Sequence, residues 1–356
     1  MSTKTIHVTA SRDYDVLIGN GLLKDAGTLI AEVKAPCKAA VISDSNVAPL
    51  YAETVCDSLE AAGFTTCTFV FSAGEASKNL GTYGDILNFC ASERLTRTDL
   101  IVALGGGVTG DMAGFAAATY LRGIDYVQVP TSVLSAVDSS VGGKTAVDIP
   151  AGKNLVGAFK QPLRVLCDID AFGTLSDEVF RDGCAECIKY GVLQSPSLLN
   201  IFAAGTAKEH IADIVAESVQ IKADYVADDE FDTGARRYLN LGHTLGHAIE
   251  RTANFTLLHG HCVAIGMVLI SRAGEKLGMT ETGTTDKLIS ILNTNGLPTS
   301  TDFSNEELLD GALADKKRKG DKIALIVPVR LGECMTLTVP VSELPHIIEL
   351  GKETSA

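Results

Sequence analysis

The stretch LIVALGGGVTGDMAG, residues 100–114, decides the fold class of this chain. An apolar run typical of a buried strand leads directly into a glycine cluster and then into a helix-forming segment. Gly105, Gly107 and Gly110 fit the dinucleotide spacing G-x-G-x-x-G, in which backbone amides and a helix N-terminus approach a pyrophosphate. Asp125 follows at the distance where such motifs carry an acidic residue. The stretch therefore predicts a phosphate-binding turn at the end of a strand.

The position of this turn argues against a plain Rossmann unit. A standard fingerprint occupies the first βα turn of its domain, whereas here several strand-like segments come earlier. Strand-like and helix-like segments alternate around the turn, which predicts a mainly parallel sheet. The strand-like segments cover 38–43, 66–71, 100–104 and 125–129, and the helix-like segments cover 47–62, 80–94 and 109–120.

The pattern changes in the second half of the chain. Residues 135–161 are rich in glycine and indicate a loop-rich boundary, which a strand-like run over 164–168 follows. Long amphipathic segments such as 207–226 then dominate, apart from a predicted hairpin over 323–329 and 335–339. The predicted fold class is α/β, with a Rossmann-like parallel-sheet domain over 1–160 and a mainly α-helical domain over 161–356.

Composition limits the partners and the compartment. The chain has 356 residues, 46% of them hydrophobic, and its 44 acidic against 30 basic residues give a net charge of −14, which repels nucleic acid. The N-terminus lacks a signal pattern and no apolar run reaches membrane-span length, so we expect a cytoplasmic protein without a membrane partner. The nine scattered cysteines suit a reducing compartment. Cys184 and Cys187 form a C-x-x-C without a second pair, which leaves core residues or a redox pair.

Histidines cluster in the second half of the chain. In LNLGHTLGHAIE, His243 and His247 are four residues apart and project from one helical face. The zinc-protease motif needs glutamate directly after the first histidine, where this chain has Thr244, so a protease is excluded. His259 and His261 follow, which places four of the seven histidines within nineteen residues. The cluster favours a metal site, with surface or core histidines as the alternative.

A metal site with open positions also needs a carboxylate, and Glu186 in CAECIKYG is the candidate. It stands three residues before Lys189 on a predicted helix, so an ordinary surface ion pair is the alternative.

A second cluster is cationic. The segment VDSSVGGKTAVDIPAGKNLVGAFKQP carries Lys144, Lys153, Asn154 and Lys160 among small residues, which suits a phosphate or carboxylate site. Interspersed aspartates leave a solvated loop as the alternative. Basic residues also precede the histidine helix at Arg236 and Arg237, and DKKRKGDK adds a later run; such runs are usually solvated faces.

Five ordered segments resemble the 3-dehydroquinate synthase family, and the resemblance covers nearly the whole chain. They are GGGVTGDMAGFAAATYLRG, VPTSVLSAVDSSVGGKTAVDIPAGKNLVGAF, AECIKYG, LNLGHTLGHAIE and HGHCVAIGM. The resemblance implies an NAD-binding α/β domain joined to a helical metal-binding domain, in a homodimer.

The resemblance also implies roles for individual residues. It implies that a divalent metal, zinc in first place and cobalt as an alternative, is bound by Glu186, His243 and His259. His247 becomes a proton-transfer group, which replaces the simple pairing of His243 with His247 as ligands. The positions that match NAD contacts are Asp44, Glu75, Lys78, Gly105, Gly106, Gly107, Asp111, Thr131, Ser132, Lys153 and Thr174.

The implied substrate pocket combines charged and polar residues. Its members are Arg122, Asp138, Lys144, Asn154, Lys189, Lys222, Arg236, Asn240, His247 and Lys316, with Lys317 as a rival to Lys316. The catalytic subset implied by the resemblance is His247, Lys144, Asp138, Lys189 and Asp232. In the family, Arg122 matches an arginine that reaches the neighbouring subunit's site.

Two positions depart from the family pattern. His261 and Asp232 stand where glutamates are usual, so the surroundings of the metal and the proton-transfer network are expected to differ.

The reaction implied by the resemblance is that of a carbon–oxygen lyase. It converts 3-deoxy-D-arabino-heptulosonate 7-phosphate, a phosphorylated sugar acid, to 3-dehydroquinate and phosphate in the shikimate pathway of aromatic amino acid biosynthesis. NAD is reduced and reoxidised within one turnover. Three alternatives remain open: a metal- and NAD-dependent polyol dehydrogenase, another sugar-phosphate cyclase, and a non-catalytic NAD-sensing protein.

Overall fold

A computed structural model describes residues 3–313 and 321–352. The chain forms two compact units, the first from Met1–Leu175 and Val215–Phe231 and the second from Ser176–Ile214 and Asp232–Ala356. The predicted boundary at 160/161 differs from this division because the strand over 164–168 belongs to the large sheet of the first unit. Lys316 and Lys317 lie outside the described residues.

The described strands and helices follow one another in chain order. The strands are β1 Lys4–Val8, β2 Tyr14–Gly19, β3 Lys38–Asp44, β4 Thr65–Phe71, β5 Leu100–Gly105, β6 Asp125–Pro130, β7 Lys144–Ile149, β8 Gly152–Phe159, β9 Arg164–Asp168, β10 Lys322–Arg330 and β11 Glu333–Pro340. The helices are α1 Ala26–Ala31, α2 Ala48–Ala61, α3 Leu80–Ser92, α4 Gly107–Thr119, α5 Asp177–Gln194, α6 Pro196–Ala203, α7 Ile211–Asp228, α8 His243–Thr252, α9 His259–Lys276, α10 Thr284–Thr294, α11 Asn305–Leu313 and α12 Leu344–Gly351.

The first unit is built on a seven-stranded sheet in the order β1-β2-β9-β6-β5-β3-β4. All neighbours in it are parallel except the edge pair β1 and β2. The chain passes outward from β3 to β4 and then returns to β5 on the other side of β3. The ends of β3 and β5 therefore form the switch point at which open α/β sheets bind ligands. The predicted α/β fold class is confirmed.

Apolar side chains alternate between the two faces of this sheet. On one face, residues such as Val41 and Val102 pack with Ile30 of α1 and Leu59 of α2. Residues one step along the same strands pack on the other face, with side chains of α3 and α4. Strands buried on both faces are nearly continuous apolar runs, which explains why the sequence predicted them.

The prediction of a loop-rich boundary over residues 135–161 is wrong. The segment forms a π-helical turn, Ser135–Ser139, and an antiparallel hairpin of β7 and β8. A Cβ on Gly157 would lie 2.1 Å from the carbonyl oxygen of Thr145, so the two strands need glycine where they meet. The glycines that suggested a loop are in part close-packing residues of this hairpin.

The second unit is mainly helical, as predicted, and the predicted hairpin is formed by β10 and β11. Helix α9 is buried along most of its length, and α5, α8, α10 and α12 pack against it. Within residues 3–313 and 321–352, no helix combines the length and apolar character that a membrane span requires.

Candidate active site

The glycine cluster joins β5 to α4 at the switch point of the sheet. A Cβ on Gly105 would lie 2.5 Å from Thr109 Oγ1, and one on Gly110 would lie 2.6 Å from Gln128 Oε1. These two glycines of the dinucleotide spacing therefore serve internal packing. Gly106 differs, because the nearest atom to its added Cβ is Ser132 Oγ at 3.8 Å. The backbone around Gly106 is thus the part of the turn that is open to a ligand.

Neighbouring strand ends are linked to this turn. Asp44, the last residue of β3, accepts a hydrogen bond from the Thr109 hydroxyl at 3.3 Å through Oδ2. Its Oδ1 accepts bonds from the amides of Asn46 and Val47 at the entry to α2. The amide of Thr131, which follows β6, donates to the carbonyl oxygen of Gly105 at 3.0 Å. The ends of β3, β5 and β6 therefore hold one another in place.

Two ion pairs connect other residues that the sequence assigned to NAD. Lys78 Nζ lies 2.5 Å from Asp111 Oδ2, and Lys153 Nζ lies 3.1 Å from Glu75 Oε1. Burial alone would lower the pKa of Lys78, but the negative charges of Asp111 and Glu75 outweigh it and raise that pKa. The buried ammonium group of Lys78 is therefore held charged.

A third ion pair joins the predicted substrate residues Lys222 and Asp138. Lys222 is buried, and its Nζ donates to Asp138 Oδ1 at 2.7 Å and to the Asp138 carbonyl oxygen at 2.5 Å. Near the β7–β8 turn, Asn154 has a left-handed backbone with φ +52°, and its amide donates to Asp148 Oδ1 at 2.7 Å. Lys144, the first residue of β7, is exposed.

The remaining predicted residues of the first unit lie at the surface or near it. Thr174 is exposed and its hydroxyl is 2.6 Å from that of Tyr51. Arg122 is also exposed, and it stands in a run of three residues with positive φ: Leu121 at +51°, Arg122 at +70° and Gly123 at +119°. Such a run is unusual for side-chain-bearing residues.

In the second unit, three helices bring a carboxylate and two imidazoles together. Glu186 lies in the middle of α5 and is fully buried, whereas His243 and His259 are the first residues of α8 and α9. The Nε2 atoms of both histidines lie 3.4 Å from Glu186 Oε1. A tetrahedral zinc ion with bonds of about 2.0–2.1 Å places its ligand atoms about 3.3–3.4 Å apart. The donor set therefore fits a divalent metal ion.

The other ring nitrogens orient the two imidazoles. His243 Nδ1 lies 3.0 Å from the carbonyl oxygen of Leu241, which can only accept, so Nδ1 carries the proton. His259 Nδ1 lies 3.4 Å from Glu250 Oε2. Both contacts leave Nε2 as the nitrogen that faces Glu186, and outer partners of this kind are typical of metal-binding histidines.

The charges around the site favour a cation. Burial holds the pKa of His243 well below its ordinary value, so that ring is neutral at pH 7. Burial also opposes protonation of His259, but hydrogen bonds to Glu186 and Glu250 outweigh it and raise the pKa of His259 to about 10. In the metal-free protein, the proton on His259 therefore supplies positive charge beside Glu186 and Glu250, which a bound metal ion would otherwise supply.

Lys189 is part of this centre. Its Nζ lies 2.5 Å from Glu186 Oε2, and the side chains of Lys189 and Glu186 are 1% and 0% exposed. The alternative of a surface ion pair is therefore wrong. Because Lys189 takes Oε2 of the Glu186 carboxylate, Oε1 is left directed at the two histidines.

His247 is close to the same centre. Its ring centroid lies 5.3 Å from that of His243 and 5.7 Å from that of His259. One nitrogen from each of the three histidines lies within 4.8 Å of the others. Geometry alone therefore leaves His247 as a third nitrogen ligand or as a group beside the metal.

The second unit also positions the polar residues before α8. Arg236 is buried in the 3-10 turn Ala235–Asn240, and the Asn240 side-chain amide donates to the Arg237 carbonyl oxygen at 3.1 Å. Asp232 has a left-handed backbone, with φ +57°.

Burial raises the pKa of the Cys184 thiol to about 12, which favours the interpretation of its C-x-x-C as a pair of core residues.

Two residues near the candidate metal centre were not predicted. Glu250 contacts His259, and its sequence signal is its place on α8, three residues after His247 and seven after His243, hence on the same helical face. Asp182 precedes Glu186 by one helical turn on α5 and accepts a hydrogen bond from the His261 amide.

Several solved structures share this fold. The chain matches 2-deoxy-scyllo-inosose synthase with a TM-score of 0.87 and 22% identity, covering 98% of this chain and 99% of that one. It matches 2-epi-5-epi-valiolone synthase from Streptomyces hygroscopicus subsp. jinggangensis 5008 with the same score and identity, covering 97% and 98%. Glycerol dehydrogenase from Schizosaccharomyces pombe matches at 0.66 and 17% identity, covering 98% and 91%. The chain therefore shares the fold of these two synthases and, at a lower TM-score, that of the glycerol dehydrogenase.

Family models and curated relatives identify the family. The models for 3-dehydroquinate synthase N-terminal and C-terminal match residues 68–182 and 183–318. The chain is 44% identical to 3-dehydroquinate synthase of Streptococcus suis (strain 05ZYH33), over 95% of this chain and 97% of the relative. It is 42% identical to that of Lactococcus lactis subsp. cremoris (strain MG1363), over 94% and 97%. The chain belongs to the 3-dehydroquinate synthase family, whose members are lyases acting on phosphates.

Proposed function

We propose that this chain converts 3-deoxy-D-arabino-heptulosonate 7-phosphate to 3-dehydroquinate and phosphate, with NAD in the first unit and a divalent metal ion in the second. Family membership over nearly the whole chain carries the proposal, because the rival dehydrogenases share only the fold. The structural support is the open backbone of the glycine turn and the contact of His243 and His259 with Glu186.

NAD is proposed from the geometry of the first unit and from its structural neighbours. The solved 2-deoxy-scyllo-inosose synthase is complexed with carbaglucose-6-phosphate, NAD+ and Co2+, and the solved 2-epi-5-epi-valiolone synthase with NAD+ and Zn2+. When bound, NAD supplies a hydride acceptor that can return the hydride later in the turnover. The open backbone at Gly106 and the N-terminus of α4 bind the pyrophosphate.

Other first-unit residues order the cofactor and part of the substrate. Lys78 and Lys153, each paired with a carboxylate, supply positive charge next to the phosphates. Asp44 at the end of β3 is an acceptor for a ribose hydroxyl. Lys222 holds the Asp138 carboxylate in one orientation, so that carboxylate can accept from a substrate hydroxyl. Thr131, Ser132 and Thr174 remain proposed cofactor contacts.

The metal is proposed to be zinc, with cobalt able to replace it. When bound by Glu186, His243 and His259, it supplies a Lewis acid for a substrate hydroxyl or carbonyl oxygen. His247 moves a proton at the substrate; the support is its matching position in the family and its ring, which borders those of His243 and His259. Lys189 orients the Glu186 carboxylate through the ion pair between its Nζ and Oε2.

Anionic groups of the substrate are bound by basic residues. Lys144, Lys189, Arg236 and Asn154 are proposed to bind the phosphate and the carboxylate, with Asn240 as a further polar contact and Asp232 as a proton-transfer partner. The oxidised substrate carbon acidifies the neighbouring C–H bond, so removal of that proton can expel phosphate. Ring closure afterwards requires mainly that these residues hold the substrate in one geometry.

The assembly is proposed to be a homodimer in the cytoplasm, in which Arg122 reaches the neighbouring active site. The support is the exposed position of Arg122 on a run of three positive-φ residues, since strained backbone tends to occur where function requires it. Lys316 remains a proposed substrate contact outside the described residues.

Phosphate release tests the proposed reaction against its rivals. Metal-loaded protein with NAD is expected to release phosphate from the heptulosonate phosphate, and chelation followed by zinc addition is expected to abolish and restore the release. A metal-dependent polyol dehydrogenase would instead accumulate NADH without releasing phosphate, and that result would refute the proposal. Failure to release phosphate from this substrate, with release from another sugar phosphate, would indicate a different cyclase.

A further inference from the structure

Helix α9 carries the metal-binding residue His259 at its first position but lacks a cap of its own. Its N-cap residue is Leu258, whose side chain offers no hydrogen-bond acceptor, and no capping bond is made by it. The first amides of a helix need acceptors, and a buried helix start without them is costly. Since α9 is 18 residues long and its start is part of the candidate metal centre, the acceptor that replaces the cap matters for that centre.

Asp182 of α5 supplies the missing acceptor. Its Oδ1 accepts a hydrogen bond from the His261 amide at 3.1 Å, and the Gly260 amide also donates to the carboxylate. Asp182 is only 5% exposed, so water does not take its place easily. A carboxylate at a helix N-terminus is also stabilised by the helix dipole. The two amides are those that directly follow His259.

Gly260 makes this close approach possible. A Cβ at Gly260 would lie 2.0 Å from the main-chain oxygen of Asp182 and 2.9 Å from its Oδ1. Backbone of α9 therefore rests directly on α5, at the turn before Glu186. The same face of α5 thus holds the start of α9 through Asp182 and contacts the His259 ring through Glu186, four residues later.

We propose that Asp182 is a positioning residue of the metal centre: by capping α9 from α5, it fixes the distance between His259 and Glu186. The inference rests on the proposed metal site and adds to it a residue that touches neither the metal nor the substrate. Three carboxylates then locate His259, with Asp182 at the two amides that follow it, Glu250 at Nδ1 and Glu186 at Nε2.

Cobalt binding to the full-length, metal-free protein tests this without any turnover. Asp182→Ala is expected to raise the Kd for Co2+ about 10- to 100-fold and to change the visible spectrum of the bound ion. Asp182→Asn keeps an oxygen acceptor for the amides. Its Kd for Co2+ is expected to stay within about threefold of the wild-type value, and the spectrum of the bound ion is expected to be unchanged. Asp177→Ala is the matched control, because Asp177 lies on the same helix in an exposed ion pair with Lys208 and should change neither readout.

The outcomes separate this inference from the proposed function. Wild-type affinity and spectrum in Asp182→Ala would overturn the positioning role while leaving the metal centre intact. Loss of affinity in Asp182→Asn as large as in Asp182→Ala would also overturn it, since the acceptor is still present. If Asp182→Ala does not fold, Asp182→Asn still tests the role, because a Kd for Co2+ raised well beyond threefold in that variant would overturn it. A wild-type protein that binds no Co2+ would refute the metal centre and this inference together.

Discussion

His259 Nδ1 lies 3.4 Å from Glu250 Oε2, so the first residue of α9 is oriented by a carboxylate near the end of α8. The contact directs the opposite nitrogen, Nε2, at Glu186. Replacing Glu250 by glutamine keeps the size of the side chain but removes its charge. We expect Glu250→Gln to weaken zinc or cobalt affinity about 10- to 100-fold, as loss of an outer partner usually does. Metal titration of the chelated protein measures this, and unchanged affinity would contradict the orienting role.

Substitutions at His247 and His243 distinguish two possible ligand sets of the candidate metal centre. If the ligands are Glu186, His243 and His259, His247→Ala is expected to retain stoichiometric metal while turnover falls about 10²- to 10⁴-fold through loss of proton transfer. His243→Ala is expected to lose the metal. Metal content by elemental analysis and kcat are measured on the same samples. Loss of metal from His247→Ala would instead favour the three-histidine group, and undiminished turnover would remove His247 from the mechanism.

Gly105 and Gly106 are adjacent, but a side chain is excluded at each position for a different reason. Gly105→Ala places a Cβ 2.5 Å from Thr109 Oγ1, so we expect it to lower the free energy of unfolding by about 1–3 kcal/mol. Gly106→Ala meets only Ser132 Oγ at 3.8 Å, and its φ of −76° suits alanine, so stability should stay near wild type. The added methyl group of Gly106→Ala is expected to obstruct the pyrophosphate and to weaken NAD binding about 10- to 100-fold.

Denaturant unfolding and NAD titration of the two glycine variants check this contrast. A Gly106→Ala protein that binds NAD as well as the wild type would place the cofactor elsewhere. Equal destabilisation in both variants would contradict the packing role assigned to Gly105.

Metal affinity is expected to depend on pH through His259. Because the pKa of His259 is raised to about 10, the metal-free ring is protonated at neutral pH, and metal binding must release that proton. His243, whose pKa is lowered by burial, is already neutral and releases none. Raising the pH therefore strengthens binding, with log Kd falling by about one per pH unit between roughly pH 6 and 9 and levelling off above the pKa of His259.

Calorimetry in buffers of different ionisation enthalpy counts the released protons. One proton per metal is the expected result. A pH-independent affinity would contradict the protonated state of His259, and two released protons would contradict the neutral state of His243. Glu250→Gln should reduce the pH dependence, since Glu250 is one of the groups that raise the pKa of His259.

The central sheet was predictable from sequence because its strands are buried on both faces. Every residue of Leu100–Gly105 is buried, so the strand is a continuous apolar run with a clear end. The β7–β8 hairpin was not predicted, because its glycines, which close strand contact requires, also signal loops. The first two strands, β1 and β2, were also missed; β1, at the edge of the sheet, is largely exposed and carries a mixed polar pattern.

The metal centre was predictable only in part. Local spacing pairs His243 with His247, because both lie on one turn of α8. The contact of His243 and His259 with Glu186 depends on the packing of α5, α8 and α9, which no local pattern encodes, and only resemblance to the family suggested it. Glu250 and Asp182 act through other residues and have no motif of their own.

The ratio of phosphate released to NAD supplied tests the central claim most directly. With metal-loaded protein, NAD held below the concentration of heptulosonate phosphate, and NADH absorbance followed throughout, the hydride that leaves the substrate must return to it. We predict many equivalents of phosphate and of 3-dehydroquinate per NAD, with no net NADH. Phosphate release that stops at one equivalent per NAD, or NADH that accumulates with product, would contradict the account.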